Sequence, residues 1–430
     1  MGTMSRRLTA VLVALWSAGP GISSATAGED KDDRSLPRQG PESASPEVGR
    51  ALEWLRKESR DLVRGARVMA ADGTPMYTPD GKGNYRALWT RDFAYMVSGA
   101  GDVLPEKDVE ACLRCLVRAV RADGAAPDRV RPDGVPVYVA GPENGSLGEP
   151  NIDNAQFLVL AVDAFLGRLP RDRRKTLFSE WAPALNRAMD YIPRSETGLV
   201  YNDPRKPHSP YGFTDLIGKT GELLMESLLY WQACRRLAAL HRDLRDEGAG
   251  EATPDRERIQ DHDKRAALIE KNITHLWHER DGAFVAATLD CRQVDVWGNA
   301  YAIFIGFPLG PKEEAVVRFL ASRADSFLYR GQVRHLVKGE YWQRLLAPVE
   351  KDRYQNGAYW ATAAGWMLVA LAKARPELAR KAFLDLVADF QSGGICECIH
   401  PDGYRQLPSY VVSAVNPLAA AEKLWGRGGN

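Results

Sequence analysis

The sequence predicts an all-α chain folded as a helical toroid, with an inner and an outer ring of helices and the functional residues on connecting loops. Three observations carry this. Apolar residues recur at helical spacing through almost all of residues 46–425, strand-like runs are few and short, and the intervening segments are long. Those segments are rich in Gly, Pro, Asn and Asp, and they hold many of the Trp and Tyr residues.

Residues 46–68 place Val48, Leu52, Leu55, Leu62 and Val63 on one helical face. Residues 107–121 follow Pro105 and carry a stripe of Val109, Cys112, Leu113, Leu116 and Val120. Residues 153–167 and 175–192 form the next pair, joined by a turn near Arg171. The series continues through 216–241, 257–277, 311–322, 358–374, 376–390 and 410–425. Shorter apolar segments after Asp92 and Asp295 bring the total to about twelve helices. Strands are expected only at 135–139, 284–288 and 404–407. No repeat of fixed period is present, which argues against a stacked solenoid and for hairpin pairs closing on one core.

The N-terminal stretch reads as an export signal. Arg6 and Arg7 precede an apolar run at 8–16 (LTAVLVALW), and Ala25 and Ala27 give the A-x-A pattern expected at a cleavage site after Ala27. The run is shorter than the ~20 residues needed to span a bilayer and is followed by Gly19, Pro20 and Gly21. Residues 28–45 are charged and nearly free of aliphatic side chains, the composition of a disordered linker. The expected domain is 46–425, with a short tail at 426–430. No later stretch reads as a membrane span, so no membrane partner is expected after signal cleavage. The 57 Lys and Arg against 56 Asp and Glu leave no basic excess, which argues against a nucleic-acid partner. The oligomeric state is open at this level. Six cysteines include the pairs Cys112/Cys115 and Cys396/Cys398. Neither pair has the partner spacing of a zinc site, so packed thiols or disulfides are expected and no metal.

Several loops carry chemistry. In Trp89-Thr90-Arg91-Asp92 a flat apolar ring stands beside a donor fork and a carboxylate, a set suited to a pyranose and its vicinal hydroxyls, or equally to a buried ion pair at a helix start. Asp153 opens a helix as either cap or sugar contact. Asp215 follows Tyr211 and Phe213, a setting that would help keep a carboxyl protonated. Asp295, Trp297 and Asn299 head one apolar helix; Gln355, Asn356 and Trp360 head another. Glu397 stands among small and apolar residues before the Pro401-Asp402-Gly403 turn.

The set WTRDFAYM (89–96), DVWGNAYAIFIGF (295–307), YQNGAYWATAAGW (354–366) and ICECIHPDG (395–403) resembles the six-hairpin glycosidase superfamily. These are the (α/α)6-barrel enzymes that include trehalases, glucoamylases and processing glucosidases. The resemblance implies that Trp89, Arg91, Asp92, Gln355, Asn356 and Trp360 grip a sugar; Asp153, Asp295 and Trp297 are further candidate contacts from their own loop settings. By order along the chain it also implies Asp215 as acid and Glu397 as base. The run before Asp215 is Ser-Pro-Tyr-Gly-Phe-Thr, unlike the Glu-Ser-Gly-x-Asp of trehalase-like enzymes, which leaves Asp295, Glu222 and Asp92 as alternative carboxylates. Inversion at an acetal needs one protonated carboxyl for the leaving oxygen and one ionised carboxylate to activate water. The expectation is therefore an exported, metal- and cofactor-free glycoside hydrolase, exo-acting and inverting, on a glucoside-type oligo- or polysaccharide. Other sugar chemistry by the same barrel (an unsaturated uronoside hydrolase, lyase or epimerase using His208, His335 or His400) and a degenerate carbohydrate-binding protein are the rival readings.

Overall fold

The computed structural model describes residues 45–141, 147–244 and 254–426. The expected signal peptide lies outside the described residues, as do nearly all of the linker and of the C-terminal tail. Twelve α-helices are described, in the order α1 (Pro46–Gly65), α2 (Thr90–Gly99), α3 (Glu106–Arg118), α4 (Asn154–Leu166), α5 (Arg171–Tyr191), α6 (Leu224–Leu244), α7 (Pro254–Asn272), α8 (Val296–Phe304), α9 (Lys312–Ser322), α10 (Ala364–Ala374), α11 (Pro376–Gly393) and α12 (Val412–Trp425). Among these, none is long and apolar enough to cross a membrane.

Burial sorts the helices into two sets. In α2, Thr90 through Val97 are all buried, and α8 and α10 are buried along nearly their whole length. A helix apolar on every side must have neighbours on every side. By contrast, α1 and α3 bury one stripe only and begin with outer-helix signals: Ser45 caps α1 ahead of Pro46, and Glu106 and Asp108 sit in the first turn of α3. The even-numbered helices contact one another in the closed order α2–α4–α6–α8–α10–α12–α2. Each odd-numbered helix packs on the outside, with α1 against α12 and α6 against α7. The result is an (α/α)6 toroid.

Loop lengths are asymmetric. Connections from inner to outer helices are short: residues 100–105, 167–170, 305–311 and Arg375 alone. Connections from outer to inner helices are long: 66–89, 119–153, 192–223, 273–295, 323–363 and 394–411. Long loops therefore gather at the end where the inner helices begin, the arrangement by which a rigid scaffold presents a site. There they form small antiparallel sheets. One of five strands runs in the order Leu328–Tyr329, Gln332–Arg334, Tyr359–Trp360, Cys396–Ile399, Arg405–Pro408. Another of three strands joins Leu88–Trp89, Arg129–Val130 and Pro136–Val137.

Two expected helix starts are displaced, for a local reason in each case. The stretch expected from 216 begins its helix only at Leu224, because Gly221 has φ +85° and residues 221–222 pair as a strand with Tyr201–Asn202. That expected from 358 begins at Ala364, because Tyr359–Trp360 is a central strand of the five-stranded sheet. All six cysteines are unbridged thiols, so the disulfide alternative is not realised.

Candidate active site

A small pocket of about 40 Å³ opens at the long-loop face, well below the ~300–1,000 Å³ typical of small-molecule sites. Tyr85, Trp89, Phe213, Tyr354 and Tyr410 make its walls; Arg91, Asp92 and Glu397 are its charged groups, and Pro79 and Gly212 complete it. A hollow at the other end of the toroid, between Tyr95, Phe157, Tyr301 and Trp366, is lined by one carboxyl, Asp163.

The charged floor is built around Arg91. Its guanidinium donates to Asp128 Oδ1 at 2.7 Å and Asp153 Oδ2 at 3.1 Å. Both carboxylates are fully buried. Asp128 also takes Arg129 at 2.7 Å and Asn151 at 2.9 Å, while Asp153 accepts the Gly212 N–H at 2.8 Å. One cation thus ties the start of α2 to two loops, 119–153 and 192–223. Gly212 is required by closeness rather than by dihedral freedom, since a Cβ there would sit 1.7 Å from Arg91 Nε. Asp153 makes no side-chain cap hydrogen bond, so it is neither the helix cap nor the direct sugar contact expected of it. It is a buried counter-ion under the pocket.

Asp92 receives the Tyr410 hydroxyl at 2.6 Å. Burial pushes its pKa up to about 6, against the opposing pull of Tyr410 and Arg91. Glu397 lies on the fully buried strand Cys396–Ile399 and accepts the Tyr85 hydroxyl at 3.2 Å. Burial first, then the charge of Asp92, raises its pKa well above the carboxylate norm. The ionised form that a base needs is therefore held against burial, with no hydrogen bond from His400 among the described residues. The His400 ring instead lies 3.1 Å from Asp402, on the turn after the strand.

Tyr85 is delivered by a loop folded on one carboxylate. Asp80 accepts the backbone N–H groups of Lys82, Asn84 and Tyr85 at 2.9, 3.2 and 2.9 Å. Because the Tyr85 hydroxyl favours the ionised form of Glu397, Tyr85→Phe is expected to raise the Glu397 pKa further. The acid limb of a pH–rate profile would then move to higher pH; an unmoved limb would remove Tyr85 from this role.

Asp215 ends the turn Gly212–Thr214, half-buried beside the pocket, and receives Gln355 Nε2 at 2.6 Å. Burial pushes its pKa up to about 7, while Gln355 and Arg91 pull it down and Asp128 and Asp153 push it up. Its charge acts on Glu397, Tyr85 and Tyr354, so acid and base candidates share one electrostatic neighbourhood.

Other expected sugar contacts lie behind the walls. Trp297 is buried, stacked on His335 with centroids 3.8 Å apart, and Trp360 is buried beneath Phe213 at 5.9 Å. These rings hold Phe213 in place rather than face the pocket. Asp295 caps α8 through the Gly298 N–H at 2.9 Å. Asn356 binds the Trp342 N–H and the Val349 carbonyl. Glu222 is taken up by Ser195, Thr197 and His275, away from the pocket. Of the first loop, Trp89, Arg91 and Asp92 do line the pocket. Arg129 lies over the Trp89 ring at 4.6 Å, and the buried Trp89 Nε1 has no hydrogen-bond partner among the described residues.

The sequence reading missed Tyr85, Tyr410, Asp80 and Asp128 as parts of the site. Their only signals were the turn-rich run 79–85 (PDGKGNY) and the Asp128-Arg129 pair, neither of which points to a pocket before the loops are assembled.

No protein-family model matches the chain, and no curated protein matches it in sequence. Solved structures match it in fold. A GH63 mannosylglycerate hydrolase from Thermus thermophilus, in complex with Tris and D-glycerate, superposes with a TM-score of 0.60 at 16% identity, covering 85% of this chain and 99% of that one. A rhamnosidase from Klebsiella oxytoca with rhamnose bound gives 0.62 at 13% identity, covering 90% of this chain and 65% of the other. A bacterial glucoamylase complexed with acarbose gives 0.55 at 14% identity, covering 86% and 55%. The ring of six inner and six outer helices found here is therefore the six-hairpin (α/α)6 fold that these glycosidases share.

Proposed function

We propose that the protein is a glycoside hydrolase that cleaves a terminal sugar with inversion. The observation that supports this is that Glu397 in the lining of the aromatic-walled pocket and Asp215 beside it lie close enough for the charge of one to act on the other, each with its pKa raised by burial. Asp215 gives its proton to the glycosidic oxygen as the C1–O bond breaks. Glu397 takes a proton from the water whose oxygen bonds to C1, so the pair has exchanged one proton for another after each turnover. Trp89 offers a ring face to the sugar and Asp92 a carboxylate to its hydroxyls. The enclosure of the pocket supports action at chain ends. Export is proposed on the sequence pattern ending at Ala27, and N-terminal sequencing of secreted protein tests it.

Proton NMR of the first anomer released from 4-nitrophenyl α-glycosides of glucose, mannose and rhamnose tests the reading; these are sugars named with the fold relatives or their bound ligands. Release of the β-anomer supports inversion. Release of the α-anomer, or no cleavage across a broad glycoside panel, overturns it. The lyase and epimerase readings are less well supported, because His208 is bonded to the Pro150 carbonyl, His335 is stacked on Trp297 behind Phe213, and His400 lies beside Asp402 on the turn after the strand.

The pH dependence follows from the same pair. Activity requires Asp215 protonated, so the rate falls as pH rises through about 7. It also requires Glu397 ionised, so the rate falls on the acid side at a pH well above the ordinary glutamate value. The expected kcat/KM profile is a narrow bell whose two apparent values belong to the coupled pair. A plateau from pH 5 to 9 would contradict it.

A further inference from the structure

We infer that Gln355 is a positioning residue that dictates which oxygen of Asp215 carries the transferable proton. This rests on the reading of Asp215 as the acid. The Gln355 side chain is fully buried and makes two contacts of opposite polarity. Its Oε1 accepts the Leu216 N–H at 2.9 Å, and its Nε2 donates to Asp215 Oδ1 at 2.6 Å. The first contact fixes the second. A backbone N–H can only donate, so the atom it faces is the amide oxygen, and the amide NH2 is left turned to Asp215.

An N–H donor aimed at Oδ1 needs a lone pair there. With Oδ1 held as the carbonyl-like acceptor, the proton of the neutral acid resides on Oδ2, which takes no hydrogen bond among the described residues. The departing oxygen then receives the proton from Oδ2, and Oδ1 keeps its hydrogen bond throughout. Without the amide, the two oxygens are equivalent and the proton is on the wrong one for part of the time.

The backbone around Gln355 is built to hold this register. Tyr354 has φ +42° and Gly357 φ +127°, so the chain reverses sharply here. Trp342 Nε1 anchors the Gln355 carbonyl at 3.0 Å, and the Leu346 N–H binds the Leu216 carbonyl at 2.8 Å. The preceding residue reaches the other half of the machinery, for the Tyr354 hydroxyl lies 3.4 Å from that of Tyr85, which binds Glu397. One dipeptide thus touches the acid directly and the base through a single phenol. The role is distinct from the sugar contact that the sequence resemblance implies for Gln355.

The charged and titratable groups that act on Asp215 are Arg91, Asp128, Asp153, Glu397, Tyr85 and Tyr354. Gln355→Met leaves all of them in place and removes one donor that favours the ionised form. Two results are expected. First, in full-length protein labelled with 13C at aspartate carboxyls, the resonance absent from Asp215→Asn titrates at a higher pH in Gln355→Met than in wild type. Second, kcat on a methyl α-glycoside of whichever probe sugar is cleaved falls roughly 10- to 100-fold, while a 2,4-dinitrophenyl glycoside, whose leaving group needs no proton, loses less than about threefold.

An unmoved titration, or equal losses on both substrates, overturns the role of Gln355. Asp215→Asn run alongside separates the two readings: if it too loses activity equally on both leaving groups, Asp215 is not the acid and the functional proposal fails first. Should Gln355→Met fold poorly, Gln355→Glu decides. Its protonated form can donate to Oδ1 and its ionised form cannot, so its activity on the methyl glycoside must recover as pH falls; activity that does not recover overturns the inference.

Discussion

Asp215→Asn and Glu397→Gln are each expected to lower kcat on a cleavable glycoside by roughly three orders of magnitude, within the range that positioned acids and bases contribute. Neither is expected to unfold the protein. The sign of the accompanying stability change is a second test. Asp215 has a folded-state pKa of about 7, above the ordinary value near 3.8. Folding is therefore favoured by this group at low pH, and that advantage is lost as pH rises through about 7. At pH 8 the buried carboxylate burdens the fold, and the neutral Asn, which still accepts from Gln355, does not. Asp215→Asn should melt at or above the wild-type temperature at pH 8 while being nearly inactive. Near-normal turnover in both variants would remove this pair from catalysis. A large fall in melting temperature for Asp215→Asn would mean that its carboxylate is structural.

The largest stability effect is expected at Arg91. Replacing it with Leu leaves Asp153 buried with only the Gly212 N–H, and Asp128 with Arg129 and Asn151. Removing one partner from a buried ion cluster costs about 3–5 kcal/mol, because an uncompensated charge remains. Urea denaturation at neutral pH measures it. Arg56→Ala breaks an ion pair with Glu422 whose side chains are 36% and 39% exposed, and should cost no more than about 1 kcal/mol. If the two variants were equally stable, the Arg91 cluster would not be what clamps the two loops to the start of α2.

The architecture was legible because burial writes itself into periodicity. Inner helices such as α8 and α10 are apolar on nearly all faces, and outer helices such as α1 and α3 carry a single stripe. Where the reading slipped, a tertiary contact overrode local pattern. Tyr359 and Trp360 are compatible with a helix, yet their neighbours in the sheet, Val333 and Cys398, come from distant segments. The site was legible as motifs but not as roles. Asp295 and Trp297 stand beside the same kinds of residue as Asp92 and Trp89, and only packing distinguishes a cap and a core ring from groups that face a pocket. Tyr85 was invisible because nothing in its own segment signals a catalytic neighbour; its importance comes from Glu397, 312 residues away.

The closed order of the inner helices has a consequence for synthesis. α2 meets α12, and Asp92 at the start of one is bonded to Tyr410 just ahead of the other, 318 residues later. Glu397, too, lies on the strand that follows α11, so eleven of the described helices precede it. A chain that stops short of Glu397 therefore has most of the described helices but an incomplete pocket, which is walled in only when α12 docks on α2 and closes the circle.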